Sequence, residues 1–451
     1  MSWAKLRWYE KTCGIISLIC MGGTVAAALQ LRQGTVVHHV WVAVILLLVA
    51  GLGGLLLHRE GVSPGQVLVM LLPLTAAMLL RCLLLDYESG DYQMFLGPWY
   101  ETIRDGGGFA AIAQPVGNYN VPYLYFIALI SYLDVPNLYL YKLFSILLDV
   151  ILAWGGFRLV RVLTKEQGNT ILPLITFGVL LFVPTVVLNG SYWAQCDAIY
   201  GALIVHAVAC LLEGRNKWSL VWVALAFSFK LQTVFIMPLW GVMWLAGRVK
   251  FRELFVFPGV YALTTVPALL VGKPLVDILS VYLGQMGDNN RLTLNAPSIY
   301  QFLPSNAVYD PEMLATVGIF AAALLAFAML FVGAWNVKHM DNQLAMTIAM
   351  VLVVGIPFLL PHMHERYFYL ADVLAVCWAV SNVRRIPVAV LVCASSLASY
   401  CVYLRLKYNC IVYLSGGYLV MFWETAAMAV ALVLCVIHLV NLCRRKGETT
   451  A

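Results

Sequence analysis

Charge is what this chain has least of. Asp, Glu, Lys and Arg make up 11% of its 451 residues, while hydrophobic residues reach 62%, against roughly 25% and 45–50% in soluble domains. That balance excludes an ordinary soluble fold and points to a polytopic membrane protein. Long hydrophilic stretches are missing too, the longest between apolar runs being 86–138, so any chemistry must take place at the membrane surface. The eleven Cys are dispersed, with no Cys-x-x-Cys pair and no His at metal-ligand spacing. Packing is their reading, and no metal cofactor is expected. The net charge of +6 says little by itself, because a membrane protein distributes its cations by loop, and nothing in the chain suggests nucleic acid.

What is there is a series of apolar runs. A span needs about 20 apolar residues, and runs near 13–30, 41–57, 67–85, 139–160, 170–187, 197–213, 218–229, 231–247, 254–272, 312–334, 344–360, 367–382, 387–404 and 416–440 predict about fourteen. The first follows a basic start without a clean cleavage site and is expected to be a retained signal anchor. With both termini in the cytoplasm, only ten of the 28 Lys and Arg remain on the far side and its helix ends, which is the positive-inside bias. The expectation is one all-α integral-membrane domain over 1–451, in a bacterial cell membrane or an endoplasmic reticulum membrane. N-terminal spans end at 85, an external loop covers 86–138, a core bundle 139–382, and C-terminal spans 383–451. The run 121–133 is too short to span, and crossing there would put basic 158–167 on the wrong side, so it is laid in the interface. A second juxtamembrane helix is predicted to carry Met94, Phe95, Trp99, Tyr100 and Ile103 as an apolar stripe.

This topology gathers six polar segments on the external face: 86–105, 118–125, 189–200, 228–232, 285–304 and 361–369. The first holds five acids, Asp86, Glu88, Asp91, Glu101 and Asp105, and loop acids commonly serve solubility. Asp91 stands apart at the start of a predicted helix. It can cap that helix, or it can act as general base toward a hydroxyl within about 2.6–3.2 Å. Asp86 and Glu88 are neighbours whose charge could tune it.

Gly90-Asp91-Tyr92 with Trp99, followed by Asn118-Tyr119-Asn120-Val121-Pro122-Tyr123, resembles the first lumenal loop of membrane-embedded GT-C glycosyltransferases that use dolichyl-phosphate-glucose. There the pattern is G-D-[YF]-E-A-x-R-x-W, then D-Y-P-P. Phe229-Lys230-Leu231-Gln232 is similar to the family's F-K-Q, and His362-Met363-His364-Glu365-Arg366 to its H-V-H-E-K. Trp193-Ala194-Gln195-Cys196-Asp197 is similar to W-G-Q-x-D-[SA] and to bacterial membrane proteins described as mannosyltransferase-related. The resemblance spans about 86–370, with the motifs in order. It implies a GT-C helix bundle, inverting transfer from a polyprenyl-phosphate sugar to a lipid-linked or surface glycan, and the catalytic carboxylate at Asp91. The chain departs from the pattern at Gln93-Met94-Phe95-Leu96 and at Asn118-Tyr119-Asn120-Val121-Pro122, which leaves sugar and acceptor open.

If a lipid phosphate leaves, cations must meet it. Lys230, Arg366, His362 and His364 are the candidates. Lys230 can instead pair with Asp149 or Asp197, Arg366 can snorkel, and the two His with Glu365 form a polar knot that lacks a third zinc ligand. Asp197 either caps a helix or binds sugar hydroxyls beside Trp193. Further candidate substrate contacts are Asp86, Glu88, Trp99, Asn120, Tyr123, Gln195, Gln232 and Glu365. Arg291 and Asn295 belong to a second loop that either contacts the donor or covers the site. Asp149, Asp372 and Glu424, inside spans, receive no catalytic role. The rival classes are a transporter or lipid-linked-sugar flippase, which calls for midplane polar sites, broken helices and repeats, and a scaffold without catalysis. No internal repeat is visible.

Overall fold

Residues 6–285, 291–303, 309–406 and 418–448 are described by the computed structural model, and they are almost wholly helical. Helices α1 (Trp8–Ala28) and α2 (Val36–Arg59) precede α3 (Pro64–Cys82). The start of α3 is written into its sequence. Ser63 Oγ accepts the Gln66 N–H at 3.4 Å, the Gln66 side chain returns to the Ser63 N–H at 3.3 Å, and Pro64 occupies the first turn, where no N–H is needed. A π turn over Tyr92–Leu96 leads into α4 (Gly97–Asp105), and α5 (Val121–Ile130) precedes the long α6 (Asn137–Leu163). Helix α7 (Ile171–Leu180) stops before Pro184, because a residue preceding proline avoids the helical region and Val183 sits at φ −55°, ψ 121°. The chain resumes as α8 (Pro184–Val187) and a π turn, bent by 46° from α7.

The next helices are α9 (Asp197–Leu212), α10 (Asn216–Phe229) and α11 (Pro238–Leu245), then α12 (Phe251–Leu254), α13 (Val256–Leu270) and α14 (Leu275–Gln285). Two-residue strands β1 (Thr293–Leu294) and β2 (Met363–His364) pair in parallel, Thr293 opposite Met363 and Leu294 opposite His364. Helices α15 (Pro311–Trp335), α16 (Asn342–Leu359), α17 (Tyr369–Ser381), α18 (Ile386–Tyr403) and α19 (Tyr418–Glu448) complete the bundle. Its centre and rim differ in kind. The most apolar windows of α6 and α16 are 72% and 83% buried, whereas those of α1, α15 and α19 are 22% buried and that of the α12–α13 segment 11%. Apolar helices left so uncovered suit a hydrocarbon surround, where each helix satisfies its own backbone.

Nine helices among the described residues are long and apolar enough to cross a membrane, or ten if the bent pair through α7 and α8 is one span. This is an all-α, multi-pass membrane bundle. The expected spans 197–213, 218–229 and 367–382 exist as helices of 16, 14 and 13 residues, and 231–247 as a 3-10 stretch plus the eight residues of α11. Helix α5, expected in the interface, has seven of its ten residues buried and packs on α10 and α13. Helix α14 has no counterpart among the expected runs. The apolar stripe also breaks. Tyr100 and Ile103 are buried, but Met94 and Phe95 are 62% and 45% exposed, because a π turn winds in an extra residue and moves them off that face.

Two buried cations of the bundle are satisfied in different ways. Arg81 Nε lies 3.0 Å from Asp149 Oδ2 with both side chains fully buried. The ammonium of Lys142, also wholly inaccessible, donates to the carbonyls of Leu84, Leu85 and Tyr87 at 3.0, 2.8 and 2.7 Å. Three protons thus meet three acceptors in the turn just beyond the end of α3.

Candidate functional site

Members of all six polar segments line one cavity of about 610 Å³ at an end of the bundle. Two acids line it, Glu365 and Asp91, the latter 8% exposed. The carboxylate does not cap: Asp91 has helical φ −64°, ψ −36° and makes no capping bond, whereas a cap sits in the extended region. Ser89 does that work, its Oγ accepting the Tyr92 N–H at 3.1 Å and donating to the Trp193 carbonyl at 2.6 Å. Asp91 is left to three side-chain donors. Its Oδ2 accepts Trp193 Nε1 at 3.0 Å and, in a short bond, Gln195 Nε2; its Oδ1 accepts the Tyr403 hydroxyl at 2.6 Å.

The backbone is bent to make this possible. Ala194, Asn295 and His362 have φ of 67°, 58° and 62°, a left-handed region that costs a non-glycine residue on the order of 1–3 kcal/mol. All three adjoin cavity-lining residues or line it themselves. Gly117 is needed at φ 63° and for space, since a Cβ there would come within 2.9 Å of the Trp99 ring. Trp99 consequently lies on the cavity wall beside Tyr119, with ring centroids 5.6 Å apart.

Two cations line the cavity with Asp91. Lys230 ends α10 in extended backbone at φ −151°, ψ 131°, and its ammonium contacts Asp197 Oδ1 closely, with the rings of Tyr119 and Tyr200 at 5.9 and 5.7 Å. Of the two partners open to Lys230, the structure selects Asp197; Asp149 belongs to Arg81. Asp197 lies in the first turn of α9 instead of capping it. Asn189 fastens it, giving its Nδ2 to Asp197 Oδ2 at 2.7 Å and taking the Asp197 N–H on its Oδ1 at 3.2 Å. Arg366 does not snorkel. It sits among three carboxylates, at 3.1 Å from Glu365, 3.7 Å from Asp91 and 4.0 Å from Asp197, with Trp193 5.4 Å below its guanidinium.

Glu365 and His364 line the same cavity. Burial, opposed by the Arg366 charge and reinforced by Asp91, pushes the Glu365 carboxyl up to about 7. Burial and the adjacent cations Arg366 and Lys230 push His364 down to about 3, which leaves it neutral near pH 7. The strand pair brings the second loop here: the Glu365 N–H bonds to the Leu294 carbonyl at 3.1 Å, and Arg291 and Asn295 join the wall with Tyr123, Gln195 and Gln232. The Gln232 Oε1 and Arg366 Nε atoms are buried without a hydrogen-bond partner, and unmet polar atoms beside a cavity are what a polar ligand would satisfy.

Some predicted contacts lie elsewhere. His362 turns its Nδ1 to the Arg291 carbonyl at 2.7 Å and does not line the cavity. Asp86 accepts the Arg32 N–H and the Tyr139 hydroxyl, Glu88 accepts Gln33 and Gln93 side chains, and both anchor the loop outside the cavity. Asn120 reaches Tyr261 and Tyr282 at 3.3 and 3.4 Å, one residue past the wall. Trp193 and Asp197 are fully buried behind it. Tyr403 was missed, since a tyrosine at the end of an apolar run looks like any interfacial aromatic; Tyr119, which entered only within its motif, was missed as a cation partner. Among the described residues, no three or more His, Cys, Asp or Glu converge as a metal site. No protein-family model matches the chain, and no curated protein matches it in sequence.

Proposed function

We propose that the protein is an inverting glycosyltransferase of GT-C type, moving a sugar from a polyprenyl-phosphate donor to an acceptor hydroxyl on a lipid-linked or surface glycan at the external membrane face. The observation that carries this reading is one cavity that holds an oriented carboxylate, Asp91, together with two cations, Lys230 and Arg366, the latter 3.7 Å from Asp91. A volume near 610 Å³ falls in the roughly 300–1,000 Å³ range of small-molecule sites. Trp193 and Gln195 fill both lone-pair positions of Asp91 Oδ2, and Tyr403 fills one on Oδ1, so one acceptor position remains for a substrate O–H.

The acceptor hydroxyl donates to Oδ1. As its oxygen bonds to the anomeric carbon, the proton passes to Asp91, the bond from that carbon to the phosphate oxygen breaks, and its electron pair leaves with the lipid phosphate. Lys230 and Arg366 stabilise the released charge. A single displacement inverts configuration.

A lipid-linked-sugar flippase or transporter is the second reading, favoured by the 46° break at α7–α8 and the interruption of helix at Lys230. The two readings separate in one assay: radiolabelled sugar on synthetic prenyl-phosphate carriers is offered with a membrane extract, and products are tested for a new glycosidic bond. Asp91→Asn abolishes bond formation while prenyl-phosphate-sugar binding persists. Turnover retained in that variant removes Asp91 from the chemistry, and translocation without bond formation selects the flippase.

A further inference from the structure

We infer that Tyr403, at the end of α18, is a positioning residue that sets which lone pair of Asp91 faces the cavity; its effect on turnover rests on the glycosyl-transfer reading. The geometry is specific. Tyr403 lines the cavity, its hydroxyl lies 2.6 Å from Asp91 Oδ1, and its ring stacks on Trp193 at 4.6 Å and 25°. Trp193 in turn donates to Oδ2. Two stacked aromatics therefore hold opposite oxygens of one carboxylate, which fixes the carboxylate plane as a single donor could not.

Helix α18 is built to hold that register. Ser396 donates to Asp372 Oδ2 at 2.8 Å, Ser399 to Glu424 Oε1 at 3.2 Å, and the Tyr400 hydroxyl receives Asn189 Nδ2 at 2.9 Å while its ring meets Trp193 edge-on at 5.3 Å. Asn189 is the residue that fastens Asp197. Each bond is buried, where an unmade polar partner is costly, so α18 cannot slide without breaking several at once. One helix thereby ties the Asp91 oxygen to the Asp197–Lys230 side of the cavity, and the C-terminal part of the chain takes part in the site although no recognised motif lies there.

Tyr403→Phe keeps the ring and removes the hydroxyl. Turnover should fall about ten- to hundredfold, the worth of one hydrogen bond to a charged group, with the donor KM unchanged. In infrared difference spectra, the carboxylate band that disappears in Asp91→Asn should shift in Tyr403→Phe. Fluorotyrosines at position 403 keep the shape and strengthen the donor, and they should move both readouts in a graded way; they also serve if the Phe variant does not fold. A band unmoved by Tyr403→Phe and by the fluorotyrosines overturns the inference, as does turnover equal to the unaltered protein. Loss as complete as in Asp91→Asn also overturns it, since Tyr403 would then lie in the proton path. If the unaltered protein forms no glycosidic bond, the functional reading falls, and the band shift alone decides the role of Tyr403.

Discussion

Two lysines of this bundle, Lys142 and Lys230, are both buried, at 0% and 5% exposure, yet they answer opposite needs. Lys142 spends all three protons on the carbonyls of Leu84, Leu85 and Tyr87 and does not line the cavity that holds Asp91. Lys230 is held by Asp197 on one side, lies near the rings of Tyr119 and Tyr200, and lines the same cavity as Asp91. An ionisable side chain inside a membrane bundle is a functional candidate by default. What separates a clamp from a site is whether its hydrogen-bonding capacity is used up and whether a cavity reaches it.

Breaking the clamp is the largest expected effect. Lys142→Met takes the ammonium from three inward-facing carbonyls, of which only that of Leu84 keeps a backbone partner, the Tyr87 N–H, and should lower stability by about 3–5 kcal/mol, read as lost yield and an earlier thermal transition in detergent. A variant that purifies and melts normally would erase the contrast. At the other lysine, Lys230→Met alone leaves Asp197 uncompensated, so the informative variant is Lys230→Met with Asp197→Asn. It should melt close to the unaltered protein while transfer drops about 10²–10³-fold, the typical cost of removing one charge-stabilising group. Unchanged transfer there would make Lys230 a second clamp.

Acidity sharpens the contrast further. Glu365 is raised from 4.5 to about 7, so between those values the folded state holds the proton that the unfolded chain has released. Stability therefore falls as pH rises from about 4.5 to 7 and is level above, by on the order of 3 kcal/mol in all. Glu365→Gln should flatten that decline in a series of melting curves, and an unchanged slope would place its origin elsewhere. His364 acts with the opposite sign. Lowered from 6.5 to about 3, it leaves the unfolded chain binding the extra proton, so stability drops as pH falls from about 6.5 toward 3. His364→Gln should weaken that acid-side loss, with Glu365→Gln as its control.

Much of the site is legible in the linear sequence, but unevenly. Asp91, Lys230, Glu365 and Arg366 stand out because charge is rare here and each lies in a polar patch between apolar runs; all four meet in one cavity. Proximity in sequence misleads for Asp86 and Glu88, which share a loop with Asp91 but bond toward residues 32–33. The count of spans is blurred for a related reason: an apolar run records burial, and in α9 or α17 burial comes from neighbouring helices instead of lipid.

The sequence by itself determined that this is a helical membrane protein whose polar segments are few and grouped, because hydropathy and scarcity of charge are local and survive any packing. Tertiary structure alone decided the partners. The hydroxyl on Asp91 comes from 312 positions away, Arg81 and not Lys230 takes Asp149, and Asn189 instead of a helix cap holds Asp197. A hydrogen bond needs its atoms within a few tenths of an ångström of ideal. That precision depends on helix crossing, on the break before Pro184 and on the turns at Ala194, Asn295 and His362, none of which a hydropathy pattern encodes.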